Sequence, residues 1–305
     1  MQYAPSPQSP EARSKGARAR LDRLGIPERA VEVVKRVVVG VFTDGFIHAG
    51  NLAYLTLLTL FPFVIVTAAV ASLFGRDADT LRAVASLMAT LPESVRVLLA
   101  QPLHDVLTQR TGWLLWIGGT VGLWTVGSFI ETVRDILRRA YGATMSAPFW
   151  HYRLSSMGMI FGAVILMMIA FAAQVLLVAV EQFIYRLFPY ANDLIGWIQV
   201  GRLVPLLIAW GAIYALMWTL TPSSYRLGRF PKWPGALFVA LWWYGALTAL
   251  PLLISSVANY DLTYGSLAGV IIALVFFWFV GLGFVIGAHL NAALSDKAAP
   301  GLHPG

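Results

Sequence analysis

Residues 265–294 read GSLAGVIIALVFFWFVGLGFVIGAHLNAAL, thirty consecutive positions without an Asp, Glu, Lys or Arg. A helix needs roughly 20 mostly apolar residues to cross a bilayer. This stretch is therefore long enough to span one, and to tilt or extend beyond it. The first long apolar run of the chain begins only near Phe46 and is too long for a secretory signal peptide. Both runs therefore predict retained transmembrane helices.

The composition of the whole chain agrees with this prediction. Of the 305 residues, 58% are hydrophobic and 12% are charged, whereas a soluble domain has roughly 45–50% apolar and 25% charged residues. A single water-soluble core could not bury that much apolar surface. Cysteine is absent, which excludes disulfides and thiolate chemistry. The formal charge of +7 is explained by membrane topology and anionic headgroups, so no nucleic-acid partner is expected.

The hydropathy pattern predicts an all-α membrane protein, a six-transmembrane-helix bundle with an N-terminal interfacial helix and two amphipathic helices between spans one and two. The predicted spans cover residues 46–74, 112–136, 154–187, 203–220, 233–257 and 265–294 of a membrane domain at 46–294. Outside them we predict a disordered cytoplasmic tail at 1–27, an amphipathic interfacial helix at 28–45, an extracytoplasmic amphipathic segment at 75–111 and a cytoplasmic tail at 295–305. The helix at 28–45 fits a cytosolic helix packed on the bundle equally well.

The distribution of Lys and Arg predicts the orientation. Sixteen of these residues fall on the side of the two termini and six on the other. Cytoplasmic loops carry the basic excess, so both termini are predicted to be cytoplasmic. An even number of spans also requires the termini to share a side.

A charged group near the end of the second predicted span is the first candidate site. Glu131, Arg134, Asp135 and Arg138 fall within an arc of about 100° on one helix face. Pairs at helical spacing, Glu131 with Arg134 and Asp135 with Arg139, could form there. An ionisable residue inside a membrane is a functional hypothesis by default. The alternative, given equal weight, is that the span ends here and its charges lie among the headgroups.

Polar residues at the start of the first span form a second candidate. His48, Asn51 and Tyr54 follow one another at a spacing of three, which keeps them roughly on one helix face. If the chain is a transporter, we expect Asn51 and Tyr54 to share a cavity with Glu131.

Pro62 interrupts the same span. It removes one intrahelical hydrogen bond and frees the carbonyl of Leu58, which the hydroxyl of Thr56 or Thr59 could satisfy. Broken helices line many transport sites, but kinks with only a packing role are common, and we favour packing about two to one.

The sixth span has polar groups at both ends. Tyr264 belongs to a polar loop before it, for which a plain loop is favoured over a binding site. Near its end, His289 and Asn291 lie about 200° apart around the helix, so they cannot face the same partner. Asn291 continues a stripe with Gly283 and Gly287 that would allow close helix packing.

No motif of a known catalytic or nucleotide-binding site is present. The sequence has no Walker loop, no HExxH, no GxSxG and no metal-ligand spacing of His and carboxylates. We therefore expect no catalytic residues, no metal, no cofactor and no enzymatic activity.

Several motifs together resemble the YihY/BrkB family of bacterial inner-membrane proteins. They are AGNLAYLTLLTLFP at 49–62, Glu131 with the following Arg-rich stretch, Pro222 with WPGA at 233–236, YGSLAG at 264–269, and GAHLNA at 287–292. The resemblance runs in order over about residues 35–295. It implies six helices and cytoplasmic termini. The chain departs from the family pattern at His289, where members usually carry Glu, so a role assigned to that Glu does not transfer.

Three functions fit this architecture. The first is a transporter or a lipid- or amphipath-handling protein of the cell envelope that has no ATPase of its own. The second is a membrane scaffold that organises envelope partners. The third, a ribonuclease acting on tRNA precursors, follows an old ribonuclease BN label of the family and is ranked last. Expected partners are membrane lipids with anionic headgroups on the cytoplasmic side, with a homo-oligomer or an envelope protein as further options.

Overall fold

The computed structural model describes residues 27–73, 95–97, 100, 112–144, 148, 150–166, 168–169, 203–226, 231–256 and 268–295. Its elements are α1 (Glu28–Gly40), a π-helical turn (Val41–Gly45), α2 (Phe46–Leu73), α3 (Gly112–Ala140), α4 (150–166), α5 (Leu203–Leu220), α6 (Ser223–Arg226), α7 (Trp233–Ser256) and α8 (Ala268–Ser295). Every regular element in these ranges is helical, which confirms the predicted all-α class.

Helices α1 and α2 form one continuous helical path that packs antiparallel to α8. A side chain on Gly40 would collide with the His289 ring, and one on Gly45 would lie 3.1 Å from Val285 Cγ1. The step from Gly40 to Gly45 is five residues along this path, whereas the facing step from His289 to Val285 on α8 is four. The π turn contributes the extra residue, and this keeps both glycines facing α8.

Helix α8 lies at the centre of the described bundle. It packs against α1, α2, α3 and α7, and its second half is buried along most of its length. Its close contact with α7 requires glycine on both helices. A Cβ on Gly235 would collide with the carbonyl oxygen of Gly287. One on Gly283 would collide with the Trp242 ring. The glycine stripe predicted on the sixth span thus faces α7.

Two basic side chains donate hydrogen bonds to backbone carbonyls in the connection between α5 and α7. Arg226 Nη2 donates to the carbonyl oxygen of Thr221 at 3.3 Å, close to the end of α5, where carbonyls lack helical partners. Lys232 Nζ donates to the carbonyl oxygen of Arg226 at 3.0 Å. Lys232 is 4% exposed, and this burial lowers the pKa of its ammonium group.

Several helix ends meet at one end of the bundle, which we call the basic end. Gly40 meets His289 there, Arg139 lies 3.6 Å from Asp44, and the rings of Tyr141 and Tyr225 are 5.0 Å apart. The name reflects the basic residues of these helix ends, Lys35, Arg36, Arg138, Arg139, Arg226 and Lys232.

Within the described ranges, two stretches have the length and hydropathy of a membrane-crossing helix, Trp233–Leu250 and Ala268–Ser295, and Leu206–Leu220 is a shorter apolar helix. The six-span arrangement therefore stays a prediction. The N-terminal tail up to residue 26, most of the 75–111 segment, the later part of the predicted third span, Tyr264 and the C-terminal tail after Ser295 lie outside the described residues.

Candidate functional site: a buried arginine between two helices

A buried arginine extends from the first turn of α4 to the middle of α3. Arg153 donates from Nη1 to Glu131 Oε1 at 3.1 Å and from Nη2 to the carbonyl oxygen of Trp124 at 3.2 Å. Its Cζ lies 4.0 Å from the centroid of the Trp124 ring, a cation–π contact. Arg153 is 5% exposed. One carboxylate, one carbonyl and one aromatic face therefore hold this charge inside the bundle.

The guanidinium lies far from the end of α3. A Cβ on Gly127 would be 3.3 Å from Arg153 Cζ, so the charge is level with Gly127 along the helix. Gly127 precedes Ala140, the last residue of α3, by thirteen residues, which is about 20 Å at the α-helical rise. The guanidinium thus lies beside the middle of α3 and not near its end.

A glycine turn ends α3. Gly142 has a φ of +62°, a conformation that favours glycine and ends helices. The amide of Ala143 donates to the carbonyl oxygen of Arg138 at 2.9 Å. After this turn, α4 contacts α3 through Arg153, Ser155 and Ser156.

Arg134 lies beside this pair and corrects one sequence prediction. It does not bond to Glu131 but donates to the carbonyl oxygen of Tyr152 at 3.3 Å and to the hydroxyls of Ser155 and Ser156 at 3.4 Å each. The expected intrahelical pair of Glu131 with Arg134 is therefore replaced by contacts across the α3–α4 interface.

The remaining charges of α3 pair near the basic end. Asp135 bonds to Arg139 at 2.8 Å, as its helical spacing predicts, and also to Arg138. These pairs are partly exposed, whereas Glu131 is paired with the buried Arg153.

The polar residues of α2 are placed elsewhere. Asn51 Nδ2 donates a long hydrogen bond, 3.5 Å, to Thr132 Oγ1, next to Glu131 in sequence. Tyr54 is 56% exposed. His48 is partly buried.

Pro62 lies where α2 packs on α3, because a Cβ on Gly122 would collide with its ring. The prediction that Thr56 or Thr59 satisfies the freed carbonyl of Leu58 is wrong. Thr56 Oγ1 donates to the carbonyl oxygen of Leu52 at 2.6 Å, and Thr59 Oγ1 donates to that of Thr56 at 2.9 Å.

Asn291 is fully enclosed at the junction of three helices. Its Oδ1 accepts from the amide of Gly235 at 2.7 Å, and its Nδ2 donates to the carbonyl oxygen of Lys232 at 2.9 Å. The same Nδ2 is 3.4 Å from Met217 Sδ. Asn291 thus satisfies backbone groups at the start of α7, a structural position with no open space around it.

His289 faces the other way, as the helical spacing predicts, and lines a cavity of about 600 Å³ at the basic end. Glu32, Lys35 and Arg36 of α1 also line it, with Ala140 of α3. Among the described residues, neither Asn51, Tyr54 nor Glu131 lines this cavity, so it is not the shared cavity expected from the sequence. The described ranges also contain no group of three His, Asp or Glu residues that could hold a metal ion.

Comparison with known proteins identifies the family of this chain. The profile of the family described as virulence factor BrkB matches residues 42–304. The chain belongs to the BrkB family. The resemblance seen in the sequence motifs is thereby confirmed.

Two relatives support this membership. The BrkB chain is 28% identical over 261 residues to the ribonuclease-like protein YfkH of Bacillus subtilis (strain 168), covering 83% of this chain and 91% of that protein. It is 27% identical over 258 residues to the UPF0761 membrane protein PSHAa0171 of Pseudoalteromonas translucida (strain TAC 125), covering 82% and 81%. No solved structure matches. Together with its apolar helices, these findings establish the chain as a membrane protein.

Sequence reasoning about this BrkB chain missed Arg153 and Trp124 as site residues. Arg153 entered only the count of basic residues on one side of the membrane. A usable signal existed: in a helical hairpin that turns near Gly142, Glu131 is about as far from the turn as the first residues of α4.

Proposed function

We propose that this BrkB protein is a multi-pass protein of the bacterial inner membrane, with both termini in the cytoplasm. There it transports or handles a lipid or another amphipath, without ATPase activity of its own. The buried Arg153–Glu131 pair supports this function most directly. Ionisable side chains held inside a membrane bundle are costly, and they commonly mark the pathways of substrates and ions.

The charge balance of the α3–α4 interface indicates what such a pathway would favour. Arg153 and Arg134 both donate across the interface, whereas Glu131 is the carboxylate that faces them. An anionic group between the two helices would therefore compete with Glu131 for the guanidinium of Arg153. Displacement of one partner from a buried ion pair needs a replacement charge, which couples binding of an anion to separation of α3 and α4.

Reconstitution tests this proposal. The full chain is inserted into liposomes containing fluorescently labelled phosphatidylglycerol or phosphatidylethanolamine, and dithionite then measures how fast the label crosses the bilayer, with and without a pH gradient. We expect protein-dependent movement that falls at least tenfold in Arg153→Ala. Arg153→Lys should retain part of it, since Lys keeps the charge but loses the fork geometry.

Arg29→Ala is the matched control, because Arg29 lies on α1, away from the α3–α4 interface, and its loss should leave the rate unchanged. Movement no faster than in protein-free liposomes, for both lipids and under both gradient conditions, would contradict the transport proposal.

A scaffold function is the second candidate, and one observation favours it. Val34, Val38 and Phe42 form an exposed apolar stripe on α1 and the π turn, a surface suited to a partner or to lipid. Stoichiometric co-purification of an envelope protein, lost in Val38→Asp and accompanied by no lipid movement, would favour this candidate.

Ribonuclease activity is ranked third. The YfkH name describes that relative as ribonuclease-like, but the deepest carboxylate of this chain, Glu131, is paired with an arginine instead of with a histidine base. Cleavage of tRNA precursors by nuclease-free protein that disappears in Glu131→Ala would reverse this ranking.

A further inference from the structure

The cavity at the basic end is a second site, separate from the α3–α4 interface. It lies between α1, the end of α8 and the last residue of α3, and its volume of about 600 Å³ falls in the range of small-molecule sites in proteins. The side chains on one wall are charged, Glu32, Lys35 and Arg36, and His289 stands opposite them on α8.

The charges around this cavity do not balance. Arg36 Nη2 is paired with Glu32 Oε1 at 2.8 Å, and within the described ranges Lys35 makes no ion pair. Two further carboxylates at this end of the bundle, Asp44 and Asp135, are already paired with Arg139. One positive charge therefore remains uncompensated at the wall, which matches the single negative charge of a phosphodiester.

Beside His289, the wall opposite α1 consists of small apolar residues. Ala140, Ala292 and Ala293 line it, and Gly40 faces it from α1, where a Cβ would collide with the His289 ring. A lining that is basic on one side and apolar on the other fits a phosphate group attached to a glycerol backbone better than it fits a free inorganic anion.

The position of α1 also indicates a membrane ligand. The exposed apolar stripe of Val34, Val38 and Phe42 runs beside Lys35 on the same helix. An apolar face next to basic side chains is typical of a helix at the boundary between acyl chains and headgroups. A ligand reaching the cavity there comes from the lipid layer.

We propose that this cavity binds the phosphodiester headgroup of an anionic lipid, with Lys35 and Arg36 as the donors to the phosphate oxygens and His289 as a further donor. The inference goes beyond the transport function and does not depend on it, because a protein that moves no lipid can still bind a headgroup here. Equilibrium binding in detergent therefore tests it independently.

The experiment titrates the purified full chain, in a non-ionic detergent, with short-chain phosphatidylglycerol, short-chain phosphatidylcholine or inorganic phosphate, and follows the thermal unfolding midpoint. We expect saturable stabilisation by phosphatidylglycerol and none by the other two at equal concentration. Lys35→Gln should weaken the phosphatidylglycerol affinity at least fivefold. Ala293→Leu, which fills the cavity without changing charge, should do the same.

Arg29→Gln removes one charge from α1 at a position that does not line the cavity, and it should change the affinity less than twofold. Equal weakening by Arg29→Gln and Lys35→Gln would overturn the proposal, because it would show general surface attraction. Equal affinity for inorganic phosphate and phosphatidylglycerol would also overturn it. The unfolding midpoint of each variant without lipid shows whether the variant is folded.

Discussion

Two asparagines on apolar helices of this protein have very different surroundings. Asn291 is 1% exposed and bonds to the amide of Gly235 and the carbonyl of Lys232. Asn51 is exposed and makes one long contact with Thr132. A buried backbone group that loses its hydrogen-bond partner cannot bond to water instead, so the fold loses free energy. The two side chains should therefore contribute differently to the free energy of unfolding.

We predict that Asn291→Ala lowers the free energy of unfolding by about 1–3 kcal/mol, the cost of leaving buried polar groups unpaired. Asn51→Ala should change it by no more than about 0.5 kcal/mol, as exposed substitutions usually do. Denaturant titration in detergent micelles measures both values. Equal losses in the two variants would contradict the assignment of Asn291 to the junction.

Tyr141, in the turn after α3, gives a pH-dependent prediction. Burial raises the pKa of its phenol to about 12, and the nearby Thr221 hydroxyl offsets part of that rise. In the unfolded chain the pKa is about 10. A group whose pKa is higher in the folded state stabilises the fold fully below the unfolded pKa and loses that contribution as the pH rises through the folded value. Tyr141 therefore contributes below about pH 10 and stops contributing by about pH 12.

We expect the wild-type protein to lose stability between pH 10 and pH 12 more steeply than Tyr141→Phe does. Unfolding midpoints measured across this range in detergent test the difference. Tyr54→Phe, at an exposed tyrosine, is the control and should follow the wild-type curve. Parallel curves for wild type and Tyr141→Phe would show that the phenol ionises equally in both states.

At the scale of the helices, the contact between α7 and α8 depends on backbone approach at glycine. Gly235→Ala would place a methyl group against the carbonyl oxygen of Gly287, so the helices must separate. We predict a loss of about 2 kcal/mol or more, similar to overpacking of a core. Gly245→Ala, on the same helix but with open space around it, should be neutral or stabilising by up to about 1 kcal/mol. Thermal unfolding of both variants decides between them.

The helices also show how far sequence reasoning extends. The stripe of Gly283, Gly287 and Asn291 was predictable because all three residues lie on one helix, where spacing alone defines the face. The pairing of Glu131 with Arg153 depends on the register between two helices, which spacing within one helix cannot reveal. The hydroxyl of Thr56 was misassigned for a different reason, because within its own helix it reaches the carbonyl of Leu52 one turn back.

At the scale of the whole molecule, the asymmetry of basic residues predicts the orientation in the membrane. The chain has no cysteine, so single-cysteine variants report topology without background. We expect Ser14→Cys and Ala298→Cys to react with a membrane-impermeant maleimide only after the membrane is opened. Asn259→Cys should react in intact spheroplasts. The reverse pattern would show that the termini face outward.

The unbroken helical path from Glu28 to Leu73 has a mechanical consequence. At 1.5 Å per residue it is roughly 70 Å long, far more than the hydrocarbon thickness of about 30 Å. Helix α1 is about 20 Å long. If α1 and α2 tilt together as one rigid helix, each 10° of tilt displaces the N-terminal end of α1 by roughly 3–4 Å relative to its junction with α2. Because one wall of the basic-end cavity is α1 itself, a change in bilayer thickness that alters helix tilt would change the width of that cavity.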